Sequence, residues 1–158
     1  MRVSKSEFEP RDPNFRAKVE NSFNRQQAMD TLGVRLAELR PGCVVLEVPH
    51  NVMFTQQHGF MHAGIITTVL DTACGYAAFS LMEPGAAVLS VEFKTNFLAP
   101  ASGVRFRIEA TVLKPGRTLT VCEAKAYAFL DNADASPRLV ASMTATIMAV
   151  TGREGIEQ

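Results

Sequence analysis

The apolar positions Phe15, Val19 and Phe23 recur at i, i+4 and i+8, a spacing that predicts a helix over residues 14–29. Two strand candidates follow at 34–40 and 44–49, separated by the turn signal Pro41-Gly42. After a polar loop, NVMFTQQHGFMH, residues 63–82 read AGIITTVLDTACGYAAFSLM. That stretch is apolar nearly all round and predicts a buried helix, ended by Pro84-Gly85. The second half reads as strands at 87–98, 104–113, 118–130 and 138–150. The clearest alternation sets Val104, Phe106, Ile108, Ala110 and Val112 against Arg105, Arg107 and Glu109.

A helix without a polar face must be covered on most sides. The economical arrangement is an α+β fold in which one antiparallel sheet curls around the central helix. Residues 1–12, charged and followed by Pro13, are expected to form a flexible tail. Residues 13–150 are expected to form a single domain with an N-terminal helix, and residues 151–158 a second tail.

The chain's 158 residues suffice for one ordinary domain with its own core. Sixteen basic and sixteen acidic side chains cancel, with no long run of one sign, which argues against nucleic-acid or membrane-surface binding. The three cysteines are scattered and odd in number, so neither a disulfide framework nor structural zinc is expected. Asp71 lies near the middle of the apolar stretch, where a charge costs roughly 2.5–3.5 kcal/mol on insertion scales; a buried helix of a cytoplasmic protein is expected rather than a membrane span.

Asp71 is the most informative residue. It is the only carboxylate between Glu47 and Glu83, and no Lys or Arg occurs between Arg40 and Lys94. An unpaired buried charge is costly and concentrates at functional sites. The plainer alternative is an Asp facing a watery gap, or hydrogen-bonded to Thr67, Thr68 or a distant arginine. The second signal is the helix start, His58-Gly59-Phe60-Met61-His62-Ala63-Gly64. There, open backbone N–H groups and the helix dipole suit a carbonyl oxygen or oxyanion; the plainer reading is a tight turn. Ala63 and Asp71 are eight positions apart, about 12 Å along a helix axis. One carbonyl touches both only if two helices run antiparallel across a two-fold axis, so a homo-oligomer is expected.

The segments QQHGFMHAGIITTVLDTACGYAA, VEFKTNFLAPA and KPGRTL resemble the hotdog-fold thioesterases, and within them the PaaI-type acyl-CoA thioesterases. The likeness covers about residues 32–150. It rests on a His–Gly–Gly-like helix start, an acid nine positions after His62, and Gln56 six positions before it. It implies a hotdog fold, pairing of dimers into tetramers, a small-molecule acyl-CoA substrate and no cofactor. By similarity Asp71 is the nucleophile or the general base. Ala63, helped by Gly64, polarises the thioester carbonyl through backbone N–H groups. Gln56 hydrogen-bonds the carbonyl or the attacking water, and His62 supports the loop or contacts the thioester region. Ala63 stands where the pattern has its middle glycine; the N–H survives, but the methyl narrows the path.

Other chemistry is thinner. His58 and His62 have a zinc-like i, i+4 spacing without the following Glu or a third ligand, so no metal is expected. His58 and Asn96 are instead candidates for lining the substrate cleft. Arg117, after the Pro115-Gly116 turn, is the best candidate for the coenzyme A phosphates. Cys74, on an apolar helix, reads as inert packing. The expected activity is hydrolysis of an acyl-CoA or aryl-acyl-CoA to the free acid and CoA. The rivals are a non-catalytic acyl-CoA-binding or sensing module on the same fold, and a hotdog dehydratase, which the lack of any His after His62 supplies poorly.

Overall fold

Period-two burial along the strands and one long helix set the architecture. The structure, a computed structural model, describes residues 8–132 and 134–156. In chain order it contains α1 (Phe15–Phe23), α2 (Gln27–Leu32), β1 (Arg35–Arg40), β2 (Cys43–Pro49), a 3-10 turn (Val52–Phe54) and α3 (Ala63–Phe79). Then come β3 (Ala87–Phe97), β4 (Arg105–Lys114), β5 (Leu119–Phe129) and β6 (Arg138–Val150). The six strands form one antiparallel sheet in the order β1-β2-β4-β5-β6-β3, curled around α3. This is the hotdog arrangement.

The alternation read in 104–113 holds from Phe106 onward: Phe106, Ile108, Ala110 and Val112 face the helix and are buried, while Val104 lies before the strand and is exposed. On β5 the inward residues are Cys122, Ala124, Ala126 and Ala128. These small side chains leave room for the larger ones of α3, such as Leu70 and Phe79, in the same core. The outward faces of β2 and β4 carry charge. Arg107 donates to Glu38 at 2.6 Å and to Glu109 at 2.9 Å, and Arg35 pairs with Glu47. The hydrogen bond from Arg107 holds the Glu38 carboxyl below its usual range.

The predicted helix over 14–29 is two helices. Asn24 ends α1, and the chain turns at 24–26, which brings Met29 and Leu32 into the core before Gly33, at φ 68°, stops α2. Of the expected N-terminal tail, residues 1–7 lie outside the described residues, and the rest is docked rather than free. Phe8 packs on the core, and Asp12 is buried, accepts the Asn14 N–H at 2.8 Å and pairs with Lys18 at 3.3 Å. Residues 151–156 are irregular; 157 and 158 lie outside the described residues.

The sheet does not close around α3. Thr68 is exposed and Asp71, Thr72 and Gly75 are half-buried, so one helical stripe stays uncovered on an otherwise buried helix. Beside it runs β3, an edge strand on which Leu89, Val91, Phe93 and Phe97 keep 38–54% of their surface. Among the described residues no helix is long and apolar enough to cross a membrane.

The far end of α3 is pinned by Ser80, whose Oγ accepts the Gly42 N–H at 2.7 Å and donates to the Ala77 carbonyl at 2.7 Å, in full burial. Ser80→Ala strands the Gly42 N–H and is expected to lower unfolding free energy by about 1–3 kcal/mol in urea titrations. An unchanged midpoint contradicts that accounting.

Candidate active site

α3 carries candidate site residues at two places. At its start, His62 is the N-cap, and its Nδ1 accepts the Gly64 N–H at 2.9 Å. The pair of N–H donors expected at Ala63 and Gly64 is therefore a single one. Gly64 is taken by the cap, while the Ala63 N–H has no partner among the described residues. His62 thus holds the first turn of α3 to the loop before it.

Gln56 joins Ala63 along one cavity of about 550 Å³, with Phe60, Met61, Ile66 and the 97–101 segment. The Gln56 Oε1 accepts the His58 N–H, and the Gln56 N–H donates to Phe60 O at 2.9 Å. Because a backbone N–H can be met only by the amide oxygen, Nε2 is left as the side-chain donor. The loop is further held by the bridge between Thr55 and Met61 and by the contact of His50 Nε2 with Gly59 O at 3.2 Å. His58 contributes its main-chain N–H; its ring is exposed, with its Nε2 3.5 Å from Gln57 Nε2.

Asp71 lies elsewhere, in a separate cavity of about 350 Å³ with Gln26, Thr72, Gly75, Tyr76 and Ser90. It forms no ion pair among the described residues. It has one partner that the sequence did not reveal, Ser90, whose Oγ donates to Asp71 Oδ1 at 2.6 Å. None of the expected Thr67, Thr68 or arginine partners is used; Thr68 instead donates to Gly64 O at 2.8 Å. Within one chain, then, the structure groups Gln56 with Ala63 and Asp71 with Ser90, and holds the groups apart.

One expectation changes. Asn96 is paired with Ser142 between Thr95–Met143 and Phe97–Ala141, so it faces away from α3 and lines neither cavity. Arg117 is remote from the helix start and borders a third depression, of about 590 Å³, with Arg11, Arg153 and Glu83. Cys74 is fully buried, and desolvation pushes its thiol far up, against any thiolate role; the neighbouring Cys122 is raised to about 12 by the same cause. Among the described residues no three His, Cys, Asp or Glu side chains gather to hold a metal ion.

Known proteins share this arrangement. The sequence pattern of the thioesterase superfamily matches residues 58–129, from the loop before α3 through β5. A thioesterase family protein from Silicibacter pomeroyi is 60% identical, with a TM-score of 0.84 over 87% of this chain and 99% of that one. The chain belongs to the thioesterase superfamily. Acyl-coenzyme A thioesterase 13 of Homo sapiens is 32% identical over 87 residues, 54% of this chain and 61% of that protein. The E. coli PaaI protein shares the fold, with a TM-score of 0.76 at 17% identity over 90% of this chain and 97% of that one. The protein is a thioester hydrolase of PaaI-like hotdog fold.

For this thioesterase the burial of Cys74 predicts that Cys74→Ala keeps turnover within about twofold, at a stability cost of about 1–2 kcal/mol. A loss of activity without loss of fold contradicts a carboxylate site.

Proposed function

We propose that this thioesterase hydrolyses an acyl-CoA to the free acid and CoA, at a site completed by two protomers, with Asp71 as general base. The observation that carries the reading is the hydrogen bond from Ser90 to Asp71 Oδ1, which fixes the carboxylate and leaves Oδ2 to accept a proton from water. A thioester carbonyl is electrophilic enough for a water so activated, without a Ser or Cys nucleophile.

The step balances simply. The water oxygen bonds to the carbonyl carbon while its proton passes to Asp71. The partner protomer's helix start holds the oxyanion, through the N–H of Ala63 and the Nε2 of Gln56. The tetrahedral adduct collapses with cleavage of the C–S bond, and the departing thiolate takes the proton back. Desolvated donors aimed at the developing oxyanion are worth most in such a reaction. The uncovered stripe of α3 and the apolar edge of β3 support the two-fold pairing, because an open edge strand with large exposed side chains invites a partner. Arg117, beside Arg11 and Arg153, supplies positive charge for the phosphates of the coenzyme.

With purified protein and a panel of acyl-CoA substrates in a thiol-release assay, Asp71→Asn is expected to lower kcat by roughly 10³-fold with the fold intact. Ser90→Ala and Gln56→Ala are expected to lower it by roughly 10- to 100-fold each. Full activity of Asp71→Asn refutes the assignment.

A further inference from the structure

The cavity that holds Asp71 contains a polar group the hydrolysis does not use. The Oε1 of Gln26 is buried and has no hydrogen-bond partner among the described residues. Buried amide oxygens are almost always paired, so an orphan beside a catalytic carboxylate asks for a ligand. The backbone of Gln26 is fixed from both sides: its N–H donates to Phe23 O at 3.0 Å, and its carbonyl accepts the N–H groups of Met29 and Asp30 at 3.0 and 3.2 Å. The side chain is thereby set at the junction of α1 and α2, against the cavity wall formed by α3.

The neighbours do not satisfy it. Tyr76 Oη lies 3.1 Å from Ser22 Oγ, either of the two being the donor, and makes no hydrogen bond to Gln26, while the Ser90 hydroxyl is spent on Asp71. Gly75 lines the same cavity one helical turn after Asp71, and a Cβ built there meets nothing within 4 Å. The space beyond Asp71 is therefore open over Gly75 and bounded by Gln26. The coenzyme arm must reach solvent, which leaves this bounded space to the acyl group.

We propose that Gln26 is a specificity residue whose carboxamide hydrogen-bonds a hydroxyl carried by the acyl chain, one helical turn beyond the scissile carbonyl. This rests on the reading of Asp71 as the reacting carboxylate. A hydroxyl both donates and accepts, so it satisfies the carboxamide in either orientation. One turn is about 6 Å along α3, which an oxygen on the fifth carbon of an extended acyl chain spans. A site built to meet a hydroxyl discriminates against the analogue that leaves its own polar group unpaired.

The test compares 5-hydroxypentanoyl-CoA with pentanoyl-CoA. Wild type is expected to favour the hydroxylated substrate in kcat/KM by about tenfold. Gln26→Met keeps the side-chain length and is expected to abolish the preference, by slowing the hydroxylated substrate while pentanoyl-CoA stays within about twofold. A wild type without preference overturns the proposal before any variant is made. A preference that survives Gln26→Met, or an equal loss on both substrates, overturns it as well. The two readings fail differently: turnover that depends on Asp71 but ignores the hydroxyl sinks only the role of Gln26, whereas turnover indifferent to Asp71→Asn sinks the site itself.

Discussion

A rigid helix imposes the governing constraint. Ala63 and Asp71 ride on the same uninterrupted α3, and at ~1.5 Å per residue their separation cannot be closed by any side-chain motion. The free N–H that suits an oxyanion and the carboxylate that suits a base are thus displaced along one rod. In the proposed dimer, two antiparallel copies of the rod bring them together twice. The sheet holds the helix in place, because α3 is packed against β2, β3, β4, β5 and β6.

The same packing explains why one stripe of the helix carries its polar residues. Every residue the sheet covers must be apolar or small, and Ile66, Val69, Leu70, Ala73, Cys74 and Ala77 are. The polar positions Thr68, Asp71 and Thr72 sit where the curl leaves off. An unpaired acid at Ala73 or Ala77 would be a folding defect. At Asp71 it is tolerated, since the position is only half-buried and Ser90 meets one oxygen.

Much of this was legible in the sequence. The strand bounds were within a residue or two, because turn signals such as Pro41-Gly42 and Pro115-Gly116 and the alternation of β4 and β5 are local. Asp71 and the helix start were singled out through isolation of charge and the open N–H groups of a helix's first turn, and Gln56 through the family resemblance. What escaped was set by contacts between elements. Ser90 lies 19 residues from Asp71. Simple alternation would also put it on the face of Glu92, and only the bulge between Ser90 and Glu92 turns it toward the helix, opposite Ile147. Asn96 was misjudged for the related reason that its facing depends on register with β6. Gln26 was hidden inside a helix predicted to run unbroken, and the free-tail expectation missed the docking of Phe8 and Asp12. The Gly64 N–H was counted as free because a histidine cap is not visible before the loop conformation is known.

The central claim is that each reaction centre draws its base from one protomer and its oxyanion donor from the other. Ala63→Pro removes the N–H alone: the position is the first of α3, where proline fits, and His62 at φ −61° and ψ 136° already has the backbone proline requires before it. Asp71→Asn and Ala63→Pro, each inactive by itself, are to be denatured together and refolded as an equal mixture. Half of the dimers then hold one intact centre of two, so about a quarter of wild-type activity returns. Activity that stays at the level of the separate variants, with mixed dimers present, contradicts a shared site.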